Sequence, residues 1–151
     1  MGHIRIPHYL DAPIEHVWEV ACDATKTIDW ATWFTSFEPT DRFAAVGQQF
    51  HGTGRILGRD MEFEGRIAEF EPLRLIAFEG TQSLGHKWSW RNEFRPSGEG
   101  TDLDLTYDYD TPGALLALFD RVLVERAIDR NFHASVETFH DLVLAKAPQP
   151  A

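Results

Sequence analysis

Ile4, Ile6, His8 and Leu10 alternate with His3, Arg5, Pro7 and Tyr9 at the start of the chain. Residues two apart share a strand face, so the alternation predicts a strand with one dry and one wet side. Pro7, which lacks an amide donor, places that strand at a sheet edge or a bulge. The period then lengthens. Ile14, Val17, Trp18 and Ala21 recur at helical spacing behind Asp11, an expected N-cap, and Pro13 in the first turn. They predict a short amphipathic helix from about Pro13 to Cys22. Trp30, Trp33 and Phe34 stand at i, i+3 and i+4 and predict a second short helix or turn.

From Phe37 to Tyr109 the period returns to two, with turn signals at Gly47, Gly58-Arg59-Asp60, Glu71-Pro72, Gly80 and Pro96-Ser97-Gly98. The pattern is that of an antiparallel meander of about six strands. Met61, Phe63, Gly65 and Ile67 oppose Glu62, Glu64 and Arg66; Leu103, Leu105, Tyr107 and Tyr109 oppose Asp102, Asp104, Thr106 and Asp108. In the run KWSWRNEF, extended one residue upstream, His86, Trp88, Trp90, Asn92 and Phe94 share one face, and Lys87, Ser89, Arg91 and Glu93 share the other. A plain core does not readily accept His86 and Asn92 among its apolar residues, so this face suggests the wall of a cavity.

After Thr111-Pro112-Gly113 the pattern is helical to about Leu144. Leu115, Phe119, Val122 and Leu123 form one stripe; Ile128, Phe132, Val136, Phe139 and Val143 form another, rotated well away from the first. One straight helix cannot bury both against a single surface. A bend or break is therefore expected between about Leu123 and Ile128, with the first section acting as a flap over one end of the sheet. The remaining long helix is the only element large enough to cover the apolar face of the meander. The predicted class is α+β: a curved antiparallel sheet of about seven strands around a long C-terminal helix, with two short helices after the first strand. A gap at the wide end of this wrap would turn inward aromatics into pocket walls.

Composition narrows the function. The chain has 151 residues, 43% of them hydrophobic, which suits one domain, expected over residues 1–146 with 147–151 as a frayed tail. With 14 Lys+Arg against 24 Asp+Glu, the net charge is -10 and no basic run occurs, which disfavours nucleic acid and anionic membrane surfaces as partners. Cys22 is the single cysteine, so neither an intramolecular disulfide nor a thiolate metal cluster can form. The start MGHIRIPHYL has no signal-peptide core and no window approaches the roughly 20 apolar residues of a membrane span. A cytoplasmic protein without stable membrane insertion is expected.

Several motifs lead nowhere. In H-G-T-G-R-I-L-G a dinucleotide loop would need glycine where Leu57 stands and a helix where a strand is predicted, so Gly52, Gly54 and Gly58 are read as bends that keep side chains out of the cavity. The seven histidines form no HxH on an inward face and no HExxH on a helix, so no metal is expected; no motif calls for a cofactor either. His16, His133 and His140 are expected to be solvated, and His8, on inward parity, is a weak candidate for chemistry. Glu62, Glu64, Asp102, Asp104 and Asp108 lie on outward parity as surface charge. No Ser/His/Asp constellation can be assembled.

The opening L-D-A-P-I-E-H-V-W from Leu10 to Trp18, Trp30 and Trp33, Val46-Gly47, R-I-A-E-F-E-P from Arg66 to Pro72, Thr101-Asp102-Leu103 and the final segment Phe132 to Leu144 carry a resemblance. Together they resemble the START-like helix-grip superfamily, SRPBCC, in its polyketide cyclase/dehydrase and lipid transport branch. The resemblance implies a deep apolar cavity between sheet and long helix that accepts lipids, sterols or aromatic polyketides. Some of its branches are aromatase/cyclases and many only bind and carry.

Three functions follow. The first is binding of a hydrophobic small molecule in a cavity lined by Phe63, Ile67, Phe78, His86, Trp88 and Trp90. Asn92, Tyr107, Tyr109 and the helix residues Ile128 and Phe132 complete the expected lining. Apolar burial would supply the affinity, and a few polar tips would orient the ligand. The second is a polyketide cyclase, dehydratase or aromatase in which His86, Tyr107 or Tyr109 moves protons. The third is a protein-interaction module with a filled core, using the outer face or the Leu115 to Leu123 section.

Overall fold

The structure is a computed structural model that describes residues 2–38, 42–82, 86–111 and 113–145. The expected tail and Pro112 lie outside the described residues. Seven strands make one sheet in the order β1-β7-β6-β5-β4-β3-β2, every neighbouring pair antiparallel. They are β1 (Gly2–Leu10), β2 (Phe34–Glu38), β3 (Gln49–Ile56), β4 (Arg59–Glu71), β5 (Leu75–Gln82), β6 (His86–Ser97) and β7 (Gly100–Tyr109). After β1 come α1 (Ile14–Cys22), a 3-10 turn (Ala24–Lys26) and α2 (Thr27–Trp30); after β7 come α3 (Gly113–Leu116) and the long α4 (Arg121–Ala145). This is the α+β arrangement that the periodicity predicts.

Pro7 lies on an edge strand, opposite Asp104 of β7, and the neighbouring Arg5 forks onto the Asp104 carboxylate at 3.1 and 3.0 Å. Strand alternation holds in β6 and β7, where Trp88, Trp90, Asn92, Phe94, Leu103, Leu105, Tyr107 and Tyr109 are all buried. They face α4, whose buried stripe runs through Val124, Ile128, Phe132, Val136, Phe139 and Val143 at three- and four-residue spacing.

Turn chemistry departs from expectation in two places. Gly80 does not end a strand; it lies inside β5, in register with Gly65 of β4. A Cβ there would sit 1.9 Å from the Glu64 carbonyl oxygen, so the glycine permits a backbone approach that no other residue tolerates. The β3–β4 hairpin turns at Leu57-Gly58 rather than at Gly58-Arg59-Asp60. Both Leu57 (φ 51) and Gly58 (φ 77) adopt the left-handed backbone that a two-residue hairpin of matching twist demands.

The helix break comes earlier than the stripes predict, between Leu116 and Arg121. Asp120 starts α4: its carboxylate accepts from the Leu123 amide at 2.9 Å and its carbonyl from the Val124 amide at 3.1 Å. The first stripe is consequently divided. Leu115 is fully buried, whereas Val122 and Leu123 are 56% and 44% exposed and the buried stripe restarts at Val124. Asp11 does not cap α1 either; Pro13 occupies the cap position without a side-chain bond, and Asp11 turns toward α4.

Candidate functional site: an aromatic cavity under the long helix

Beneath the middle of α4, side chains from α2, the strands β2 to β7 and α4 line a cavity of about 40 Å³. That is room for on the order of one water molecule, far below the roughly 300 Å³ of a small-molecule pocket. The wall is built from rings. Trp90, central in β6, has its ring 5.5 Å from that of Trp30, 5.3 Å from Trp33, 6.0 Å from Phe78 and 5.4 Å from Phe132. Phe132 in turn stacks on Tyr107 at 4.2 Å. Tilted and edge-on ring pairs of this kind are the favourable aromatic geometries, which is why so many fit without a larger void.

Two glycines of β3 make room for this packing. A Cβ on Gly52 or Gly54 would meet the Ser36 or Trp33 carbonyl oxygen at 2.7 Å, with the Phe34, Phe63 and Trp33 rings just beyond. The glycine-rich stretch is therefore a seat for aromatic side chains, as its placement in a strand suggests.

Of the residues expected to line a pocket, Phe63, Phe78, Trp88, Trp90, Asn92 and Tyr107 stand in the wall. Phe132 backs it through Trp33, Trp90 and Tyr107. Ile67, Tyr109 and Ile128 are buried elsewhere in the core, Tyr109 stacked on the far side of Tyr107 at 5.3 Å. His86 is also displaced from the cavity: half-buried at the start of β6, its Nε2 accepts from the Gly113 amide at 3.1 Å where α3 begins. The pattern of residues points to none of Thr27, Phe50, Ser135 and Phe139 as wall, although all four line the cavity. Trp30 and Trp33 are legible as helix-spaced aromatics, but only the path from α1 to β2 brings them against Trp90.

The polar groups of the wall are few and uneven in their partners. The Trp90 indole N–H donates to Asn92 Oδ1 at 2.9 Å. Because an indole nitrogen only donates, this contact fixes the Asn92 amide with its oxygen toward Trp90 and its NH2 on the other side. Ser135 Oγ accepts from the Thr32 amide at 3.0 Å. Thr27 Oγ1, Trp30 Nε1 and Trp88 Nε1, by contrast, are buried with no hydrogen-bond partner among the described residues.

The titratable groups near the cavity are held neutral. Burial, and then the neighbouring Tyr109, push the Tyr107 phenol far above its usual range. Burial also raises Tyr109 to about 12, helped by the charges of Glu125 and Asp129. The buried Cys22 thiol is likewise raised to about 12 and is no nucleophile. Among the described residues no cluster of three or more His, Cys, Asp or Glu side chains is arranged to hold a metal, and no helix is long and apolar enough to cross a membrane.

Two histidines expected in solvent are engaged instead. His140 lies between β1 and α4, with Nδ1 3.0 Å from His8 Nε2 and Nε2 3.0 Å from Asp11 Oδ2. His16 donates from Nε2 to the Val143 carbonyl oxygen at 2.8 Å, tying α1 to the last turns of α4. Helical parity places both on polar faces, but those faces border β1 and α1. His133 does remain exposed, beside Asp129.

Solved structures with this fold are numerous. A protein from Thermus thermophilus, TTHA0849, superposes with a TM-score of 0.80 at 22% identity, covering 97% of this chain and 100% of its own. Zhui aromatase/cyclase from Streptomyces sp. R1128 gives 0.74 at 19% identity, with 97% and 99% covered. A START superfamily protein from Mycobacterium smegmatis gives 0.74 at 13% identity, with 95% and 97% covered. At these identities the likeness is one of fold. No curated protein matches the sequence. The family described as polyketide cyclase/dehydrase and lipid transport matches residues 1–143, nearly the full length, and the chain belongs to it.

Proposed function

We propose that the protein binds a hydrophobic, ring-containing small molecule in the cavity under α4 and holds it without converting it. The observation that carries this reading is the character of the wall: predominantly aromatic, with buried polar donors that no described residue satisfies. An ordinary core pairs its buried donors. A cavity of about 40 Å³ is too small for a ring system, so uptake requires its wall to widen, and apolar burial at about 25 cal/mol per Å² drives the ligand in.

The enzyme reading has less support. Among the described residues Tyr107 is the only titratable side chain in the wall, and its phenol stays protonated at neutral pH, so it serves as a hydrogen-bond donor and not as a base. His86 is outside the cavity with one ring nitrogen engaged. A domain with a filled core, used for protein contacts, is the remaining alternative.

Native mass spectrometry of freshly purified protein, beside its denatured mass, tests the proposal when combined with titration of fluorenone followed by tryptophan quenching. A released small molecule or saturable quenching supports binding. Neither, together with a gel-filtration shift on adding a partner protein, would move the function to the protein surface.

A further inference from the structure

The unpartnered donors of the wall bear on what kind of molecule it recognises. Trp30 and Trp88 are 8% and 6% exposed, each lines the cavity, and neither indole N–H has an acceptor among the described residues. An indole nitrogen has one proton to give and no lone pair to offer, so only an acceptor satisfies it. Thr27, 4% exposed and on the same wall, is a third unpaired group. The partnered Trp90 is the internal control: where the fold has an acceptor available, in Asn92, it uses it at 2.9 Å. That same contact turns the Asn92 NH2 away from Trp90, adding amide donors to a side chain that lines the cavity.

Acceptors in the wall are scarce by comparison. Ser135 Oγ is already engaged by the Thr32 amide at 3.0 Å and lies 3.1 Å from the Thr32 hydroxyl. Among the described residues no Lys, Arg, His, Asp or Glu lines the cavity. A ligand carboxylate would thus leave water for an apolar space with no cation to meet it, which is unfavourable by far more than a hydrogen bond returns. A neutral carbonyl oxygen has the reverse balance. It loses a modest hydration and meets buried donors that no acceptor among the described residues engages.

We propose, resting on the binding function above, that the cavity selects neutral ring ligands bearing ketone- or quinone-type carbonyl oxygens, which accept from the Trp30 and Trp88 indole N–H groups, and that it rejects carboxylates. Trp30 and Trp88 are then specificity-determining through their nitrogens, while Phe139 contributes ring surface alone. Fatty acids fall outside this class.

The test compares three tricyclic probes of one shape: fluorenone, fluorene and fluorene carboxylate. Equilibrium dialysis against the full chain should give fluorenone at least about tenfold tighter than fluorene, the worth of roughly one well-made hydrogen bond. This order opposes simple hydrophobicity, because fluorene is the less polar of the two. Fluorene carboxylate should bind weakest. The infrared carbonyl band of bound fluorenone should shift to lower frequency than in hexane, and in Trp30→Phe and Trp88→Phe it should move back toward the hexane position. The wild-type band alone decides the matter if either variant fails to fold. Fluorene binding as tightly as fluorenone, with an unshifted carbonyl band, overturns the donor assignment while leaving hydrophobic binding intact. Tight binding of the carboxylate overturns the selection for neutrality. If none of the three probes binds, the binding function fails and this inference with it.

Discussion

Against β1 and α1, the long helix packs on polar groups that have partners, and against α2 and β6 it covers polar groups that have none among the described residues. On the first side His140 is held between His8 and Asp11, and His16 donates to the Val143 carbonyl. Close by, Thr101, fully buried, donates to the Ala12 carbonyl at 2.8 Å. On the second side Thr27, Trp30 and Trp88 have no hydrogen-bond partner among the described residues and stand around a cavity. The fold that satisfies Thr101 has no general difficulty in pairing a buried hydroxyl. The unpaired donors are therefore a local property of one wall, and that difference separates a finished core from a candidate site.

Four measurements press on this contrast. The largest effect is expected from Trp90→Ala, which removes a ring touching four others and leaves Asn92 Oδ1 without its donor. Urea denaturation should show a loss of about 3–5 kcal/mol. A loss under about 1 kcal/mol would mean that the wall is loosely packed and the cavity larger in solution than it is here.

The same chemical change on the two sides should then give opposite signs. Thr101→Val removes the partner of a buried carbonyl and should cost about 1–2 kcal/mol. Thr27→Val replaces an unpaired hydroxyl by a methyl group of equal size and should stabilise the protein by up to about 1 kcal/mol. Should both variants lose stability equally, Thr27 has a partner in solution and the contrast collapses.

The smallest effect concerns pH. Burial, and then the neighbouring His140, hold the His8 imidazole below its ordinary value, against the opposing pull of Glu137 and Asp11. The folded state consequently takes up this proton less readily than the unfolded chain. Its stabilising share is complete above the ordinary value of about 6.5 and is lost as the pH falls through that value toward the lower folded one. Denaturation between about pH 7.5 and 5 should show declining stability that is blunted in His8→Gln. An identical slope in wild type and variant would exclude His8 as its source.

How far the sequence discloses all this depends on range. Strand alternation in β6 and β7 discloses which faces are buried, because that pattern is set by residues two apart and needs no partner to be known. Trp88, Trp90, Asn92 and Tyr107 come from that local rule, and Phe63 from the same alternation in β4. Trp30, Ser135 and Phe139 belong to the same wall only through the path of α2 beneath α4, a long-range consequence that no short window contains. Gly80 shows the same limit: glycine punctuates turns, but here it serves the contact with Gly65 fifteen residues earlier in the chain. The helix break is legible but its position is not, because Asp120 fixes it locally at the cost of leaving Val122 and Leu123 in solvent, an outcome that a pattern of hydrophobic stripes argues against.

The small volume of the cavity has a kinetic consequence. A space of about 40 Å³ admits no ring system, so capture waits on a spontaneous opening whose frequency belongs to the protein alone. Observed association rates should rise with ligand concentration and then level off at that opening frequency. Apparent affinity is reduced by the fraction of molecules open at any instant, which makes looser walls better receptors. Among variants of this wall, tighter binding should therefore accompany lower melting temperature, the reverse of the usual company that affinity and stability keep.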